Sequence, residues 1–466
     1  MSKTTEKVNP YIDETELWAL LDDKSTKSVD AVIEKALNAK GLDLDEAAIL
    51  INIDNNDNEA LEKLFKAAKQ VKELIYGKRI VLFAPLYLSN YCTNNCLYCG
   101  FRFNNKDIER KTLSVDEAIE DAKNLMAQGH KRLLLVAGED VNQIKLDYIK
   151  EVIEGIYSTK VGRGEIRRIN INVAPLNIEE FKTLKTFGIG TYQSFQETYH
   201  FETYRKMHPS GLKADYAWRY ETMSRAFEAG IDDVGMGVLF GLTDYRFEVL
   251  ALLKHAAYLD EKYGIGPHTL SIPRLEPAKG APFSTKSPHA VDDISFKKIV
   301  AVLRLAVPYT GIILTTRERP EFRKEVIALG VSQISAGSKT NPGGYTVHGK
   351  TGEQFSVGDH RSLDEVIFEL AENDYIPSFC TGCYRLGRVG HDFMDLAKPG
   401  LIQKFCHSNA LFTFKEYLLD YASEQTLNTG QKAIQNHLDM IQDENLRSKV
   451  TQNLSKIENG ERDVFF

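Results

Sequence analysis

Six cysteines stand in two triplets, Cys92/Cys96/Cys99 and Cys380/Cys383/Cys406, with none left over in 466 residues. In a reducing compartment such tight spacing reads as metal binding rather than as structural disulfides. Three thiolates are one short of the four that usually hold an iron–sulfur cubane, so one iron of each cluster stays open to another ligand. Open irons imply reactions. A zinc knuckle completed by a nearby histidine is the alternative for the first triplet, and zinc or free thiols for the second. Ala137-Gly138-Glu139 adds an acid behind two small residues, which lets backbone approach a ligand while a carboxylate meets a charged amine.

The elements that must position these residues follow from periodicity. Amphipathic helices are expected at 14–22, 28–39, 45–53 and 58–76, the last with Leu61, Leu64, Ala68, Val71 and Leu74 on one face, making an N-terminal cap. Strands are then expected at 79–86, 132–137, 167–174, 190–196, 233–240, 268–274, 311–316 and 331–336. Helices at 114–128, 142–157, 214–229, 245–262 and 292–305 lie between them, the first opened by a Ser114/Glu117 capping box. Eight strands alternating with helices over about 260 residues predict a closed α/β (βα)8 TIM barrel, with an open doubly wound sheet as the alternative. The first triplet then falls on the loop after strand one, at the end of a barrel where chemistry is done. Beyond 339 the pattern changes, giving three parts: a helical cap at 1–78, the barrel at 79–339, and a mainly helical iron–sulfur domain at 340–466.

The polar start, Met1 to Glu14, shows neither a signal-peptide core nor a transit pattern, so a cytoplasmic protein is expected. A net charge of -7 with interspersed signs gives no reason to expect nucleic acid or membrane as partner.

Cys92-x3-Cys96-x2-Cys99, with the aromatic Tyr98 before the last cysteine, resembles the motif of the radical S-adenosylmethionine (SAM) enzymes. The resemblance implies a [4Fe–4S] cluster on these cysteines whose open iron is chelated by S-adenosyl-L-methionine, and cleavage to a 5′-deoxyadenosyl radical. It also implies that Ala137, Gly138 and Glu139 receive the methionyl ammonium, that Glu197 binds ribose, and that the strand around Met236 (Gly235-Met236-Gly237) lies against adenine.

Gln196-Glu197-Thr198-Tyr199, Ser271-Ile272-Pro273-Arg274-Leu275-Glu276-Pro277-Ala278 and Ile334-Ser335-Ala336-Gly337-Ser338 together look like the tyrosine-lyase branch, which holds the thiamine-biosynthesis enzyme ThiH and the [FeFe]-hydrogenase maturases of the HydG group. The implied reaction cleaves the Cα–Cβ bond of L-tyrosine to p-cresol and dehydroglycine. Arg317 offers a planar bidentate clamp for the substrate carboxylate, assisted by Thr316 and Ser338, with Tyr199 at the same site.

The spacing Cys380-x2-Cys383-x22-Cys406 is similar to the C-terminal motif of the HydG group, which ThiH lacks. It implies an auxiliary [4Fe–4S] cluster with an additional iron, held also by His268, where dehydroglycine becomes CO and cyanide for an organometallic precursor of the hydrogenase active site. Strand starts line the end of a barrel opposite the catalytic face, so His268 is placed where a C-terminal domain could dock. Clusters at the two ends would be at least about 17–20 Å apart, the length of a five- or six-residue strand. Small or polar residues should then line the interior as a channel, against the solid packing usual in such barrels. Implied partners are a ferredoxin- or flavodoxin-like electron donor, other hydrogenase maturation proteins and the [FeFe]-hydrogenase. The competing readings are a ThiH-like lyase, against which the second triplet argues, and a cluster scaffold or carrier, for which the tyrosine-site motifs would be unnecessary.

Overall fold

The computed structural model describes residues 9–23, 28–346 and 352–466, so residues 1–8 of the polar start lie outside it. Eight parallel strands form a closed barrel in the order β1 (Arg79–Ser89), β2 (Arg132–Ala137), β5 (Arg168–Asn172), β6 (Tyr192–Gln193), β7 (Val234–Gly237), β8 (Thr269–Ser271), β9 (Gly311–Leu314) and β10 (Gln333–Ser335). Closure comes from Val81, Leu82 and Phe83 pairing with Gln333, Ile334 and Ser335. Between β2 and β5, β3 (Lys160–Val161) and β4 (Gly164–Glu165) make a small hairpin. Every expected barrel strand is found, most of them shorter than the apolar runs that announce them.

β1 pairs with β10 on one edge and is long enough to use its other edge twice. Its upper half pairs with β2, while Arg79–Val81 pairs with β11 (Ile376–Ser378), so the C-terminal part of the chain adds a strand directly beneath β2. That strand is not marked in the sequence by more than a three-residue apolar run.

Alternation along β1 sets the inside of the barrel. Phe83, Pro85 and Tyr87 face the cavity, while Leu82, Ala84, Leu86 and Leu88 pack outward into the main core. β7 alternates likewise: Gly235 and Gly237 point inward, where an added Cβ would meet Gln193 and Thr269, or Phe195.

The cap helices are Glu14–Asp22, Val29–Ala36, Leu44–Ile51 and Asn58–Tyr76. In the last, Leu61, Leu64, Ala68 and Val71 are buried, but Ile75 rather than Leu74 continues the stripe, and Leu74 is 55% exposed. The capping box Ser114/Glu117 opens the helix Val115–Ala127. The expected helix at 214–229 breaks into a 3-10 turn, Leu212–Ala214, and two short helices, Tyr216–Tyr220 and Thr222–Glu228. Among the described residues no helix is long and apolar enough to cross a membrane.

Candidate functional site

The loop after β1 is tied down on every side. Thr93 N–H donates to the Glu139 carbonyl (3.0 Å), Asn95 N–H to Ser210 (3.1 Å), Leu97 N–H to Met207 (3.1 Å) and Phe103 N–H to Asn94 (2.7 Å). Arg110 donates to the carbonyls of Phe101 (2.9 Å) and Arg102 (2.6 Å). The loop thus turns Cys92, Cys96 and Cys99 into one cavity at the carboxyl end of the strands. The thiols are free, and burial raises all three, Cys92 to about 12, so they become thiolates only when a metal replaces their protons. Gln354 Nε2 donates to Cys99 Sγ (3.8 Å) and is itself held by the Tyr87 hydroxyl (2.8 Å).

Ala137, Gly138 and Glu139 lie on the same cavity wall. A methyl group on Gly138 would sit 2.1 Å from the Tyr91 carbonyl oxygen, so only glycine lets β2 close on the cysteine loop. Glu139 accepts from Arg219 (2.5 Å) and Asn94 (2.8 Å); burial pushes its carboxyl up, but Arg219, Lys213 and Asn94 outweigh that and leave it below its ordinary value. Glu197 sits at φ 69°, a left-handed conformation that turns its carboxylate into the cavity, where Lys213 Nζ meets it at 2.6 Å. Tyr98 donates to or accepts from His208 Nε2 at 2.8 Å.

Arg317, Thr316 and Ser338 line this cavity too. The Arg317 guanidinium stacks 3.3 Å from the Phe355 ring centroid and has no ion pair or side-chain hydrogen bond among the described residues. The buried Ser338 hydroxyl has no partner either. An unpaired cation and an unsatisfied hydroxyl thus line one cavity, and both are groups that can bind a carboxylate.

Two expected residues fall elsewhere. Tyr199 points away from the cavity, its hydroxyl 2.8 Å from His255 Nδ1 and its ring against Tyr220 and His255, because the left-handed turn at Glu197 reverses the chain there. Met236 follows the alternation of β7 outward into the main core, leaving only its backbone on the inner wall.

The second triplet lies at the opposite, amino end of the barrel. Cys380, Cys383 and Cys406 share a small cavity with Arg79, Arg168, Asp233, His268, Gln333 and Phe393. Arg79, Arg168 and Gln333 begin β1, β5 and β10, and Asp233 and His268 immediately precede β7 and β8. His268 packs on Phe393 (4.2 Å) and burial lowers it to about 4, so it is a neutral imidazole with a lone pair to offer. Cys383 is lowered to about 6 by the hydrogen bond from Cys406 and then by Arg388, Arg79 and Arg168. Arg79 Nε and Arg132 Nε and Nη1 are buried without acceptors, donors that match an anionic thiolate cluster. Among the described residues no group of three His, Cys, Asp or Glu side chains stands in the geometry of a single-ion site.

Between the two cavities the barrel interior is polar. Arg168 Nε donates to Asn170 Oδ1 (3.1 Å), Arg132 Nη2 to Gln333 Oε1 (3.1 Å), and the Thr269 hydroxyl is unsatisfied. Gly190, Gly235 and Gly311 leave room for Arg168, Gln193 and Gln333.

Sequence reasoning missed Lys213, Arg219, Gln354 and Phe355 in the first cavity, and the side-chain role of Asn94. Lys213 and Arg219 lie in the broken helical stretch whose register could not be read. Of the arginines at the second cavity, only Arg79 begins a predicted strand; Arg168 lies one residue into another and Arg388 in neither strand nor motif.

An eight-stranded parallel barrel with a three-thiol loop after its first strand is the architecture of the radical SAM superfamily, whose pattern matches residues 86–255; that of the Biotin and Thiamin Synthesis associated domain matches residues 271–376. The chain is 34% identical over 360 residues to 2-iminoacetate synthase of Escherichia coli (strain K12), covering 77% of this chain and 92% of that one. It is similar to the crystal structure of HydG, a maturase of the [FeFe]-hydrogenase, with TM-score 0.94 and 50% identity over 98% of this chain and 100% of that chain. For the maturase HydG from Carboxydothermus hydrogenoformans the values are 0.83 and 42%, over 95% and 97%. Within the radical SAM superfamily, the chain belongs to the HydG family of hydrogenase maturases.

Proposed function

We propose that this enzyme cleaves L-tyrosine to p-cresol and dehydroglycine in the first cavity and converts the latter to CO and cyanide at the second, building an organometallic precursor for [FeFe]-hydrogenase. The observation that carries this reading is the pair of three-thiol cavities at opposite ends of one barrel, the first also holding an unpaired Arg317 and an unsatisfied Ser338.

Cys92, Cys96 and Cys99 fit a [4Fe–4S] cluster, which with bound S-adenosylmethionine supplies a 5′-deoxyadenosyl radical. Glu139, held by Arg219 and Asn94, receives the methionyl ammonium, and the absence of a side chain on Gly138 keeps that acid against the loop. Glu197, fixed by Lys213, accepts from the ribose hydroxyls, and Tyr98 forms the wall beside the nucleoside. Arg317 takes the tyrosine carboxylate in two parallel hydrogen bonds, with Thr316 and Ser338 completing its shell. Tyr199 supports the Glu197 turn from behind. The stacked Phe355 keeps water from the guanidinium and so strengthens its hold.

Cys380, Cys383, Cys406 and His268 fit an auxiliary [4Fe–4S] cluster with an additional iron, which would bind the diatomic products. The polar interior passes dehydroglycine between the ends. The division into a cap at 1–78, a barrel at 79–339 and a C-terminal part at 340–466, a cytoplasmic setting, and partnership with the hydrogenase and its other maturation proteins belong to the same reading. A lyase like the E. coli relative is the second reading, favoured by 34% identity over 360 residues.

The test is anaerobic reconstitution with iron and sulfide, then reaction with tyrosine, S-adenosylmethionine and dithionite. p-Cresol with CO and cyanide is expected. p-Cresol alone selects the second reading, and no 5′-deoxyadenosine overturns both.

A further inference from the structure

Six charged side chains line the first cavity: Glu139, Glu197, Lys213, Arg219, Glu276 and Arg317. Four of them cancel in pairs, Glu139 with Arg219 and Glu197 with Lys213. The other two are of opposite sign, yet among the described residues neither Glu276 nor Arg317 has an ion pair or a side-chain hydrogen bond, and they do not pair with each other. Neighbouring Glu318 is spent, because Arg274 takes both of its carboxylate oxygens (2.9 and 2.5 Å).

Topology brings the unpaired charges to one wall. Glu276 follows β8, Thr316 and Arg317 follow β9, and Ser338 follows β10, three consecutive strands of the barrel. Glu139 follows β2, four strands round from β8, and so stands on the opposite side. The segment that carries Glu276 is fixed on both flanks: Leu275 N–H donates to the Phe240 carbonyl (3.0 Å), and Ser356 N–H donates to the Pro277 carbonyl (2.9 Å). Burial and then Glu318 push the Glu276 carboxyl up, against the pull of Arg317 and Arg274. The acid is short of a cation.

We propose that Glu276 receives the α-ammonium of the substrate while Arg317 holds its carboxylate, so that the cavity selects an α-amino acid over a carboxylic acid of the same shape. The inference rests on the tyrosine reading of this cavity and adds the residue that reads the amine. Its scale fits. Neighbouring strands stand about 5 Å apart. The nitrogen and carboxyl carbon of an α-amino acid lie about 2.5 Å apart, which leaves a hydrogen bond for each protein group. A zwitterion satisfies both charges, whereas an acid without the amine sets its carboxylate against Glu276 in a pocket that screens charge poorly. The methionyl ammonium, on Glu139, is held across the cavity and does not compete.

The test is isothermal titration of the reconstituted enzyme, loaded with S-adenosylmethionine and kept free of reductant so that nothing turns over. The probes are L-tyrosine, L-phenylalanine and desaminotyrosine, which is tyrosine without its α-amine. Wild type should bind tyrosine at least about tenfold more tightly than desaminotyrosine. In Glu276→Gln, tyrosine and phenylalanine should each weaken about tenfold while desaminotyrosine binds as well as before or better. Glu276→Asp keeps the charge and should restore most of the preference. A merely structural role would weaken all three ligands alike, and that result overturns the proposal, as does a wild type that binds tyrosine and desaminotyrosine equally. So does a loss confined to tyrosine and desaminotyrosine, which would place Glu276 at the phenol. Tyrosine that the wild type binds but never cleaves to p-cresol would instead sink the lyase reading, while the titration still decides the amine site. No tyrosine binding by the wild type overturns both.

Discussion

Arg317 reaches the first cavity with its charge unspent, which sets it apart from the cavity's other buried cations. Lys213 and Arg219 already hold Glu197 and Glu139, and neighbouring Glu318 is taken by Arg274. Arg317→Lys keeps the charge but loses the planar fork, so the tyrosine KM should rise about tenfold or more with S-adenosylmethionine binding little changed. Steady-state kinetics with each substrate varied in turn check this; an unchanged tyrosine KM would put the carboxylate elsewhere. Residue types were legible in the sequence where a motif fixed them, as for the six cysteines and Glu139. They were not legible where a backbone reversal decided the outcome: the left-handed Glu197 sends Tyr199 into the aromatic layer, and the pleat of β7 sends Met236 outward. Neither follows from residue type.

At the scale of elements, β2 and the cysteine loop close on each other only because residue 138 has no side chain. Gly138→Ala forces Tyr91 back from a 2.1 Å contact with the new methyl, an overpacking change expected to cost about 1–3 kcal/mol. It should also weaken S-adenosylmethionine binding, because Glu139 moves with its neighbour; denaturant melts and a binding titration read the two effects. The turn after β6 depends on a buried acid in the helix Tyr245–Tyr263. Glu248 accepts from the Thr198 hydroxyl and from Tyr199 N–H (2.8 Å), and burial raises it from 4.5 to about 8 against those hydrogen bonds. Between those two values the folded protein binds a proton that the unfolded chain has released, so stability should fall as pH rises from about 4.5 to about 8. The slope should approach about 1.4 kcal/mol per pH unit for this one group. Glu248→Gln removes that contribution, and its denaturation midpoints should vary less over pH 5–8 than those of the wild type. A parallel pH dependence would mean that Glu248 is ionised in the folded state.

At the scale of the whole molecule, the barrel was legible because its eight strands alternate with amphipathic helices at regular spacing, and the capping box at Ser114 came with it. β11 was not, since Ile376–Ser378 is too short to stand out and owes its place to the unpaired lower edge of β1. That strand is what carries Cys380 beneath the barrel, beside the arginines that begin β1 and β5. Two sites at opposite ends of one fold should be separable by mutation, because each has its own thiols and no shared lining residue among the described ones. The most direct measurement is p-cresol, CO and cyanide from one anaerobic reaction of Cys383→Ala, with the first cluster's occupancy followed by electron paramagnetic resonance. Tyrosine should still be cleaved to p-cresol at close to the wild-type rate while CO formation collapses. A normal CO yield, or equal loss of p-cresol and CO with the first cluster fully occupied, would contradict a division of labour between the two ends.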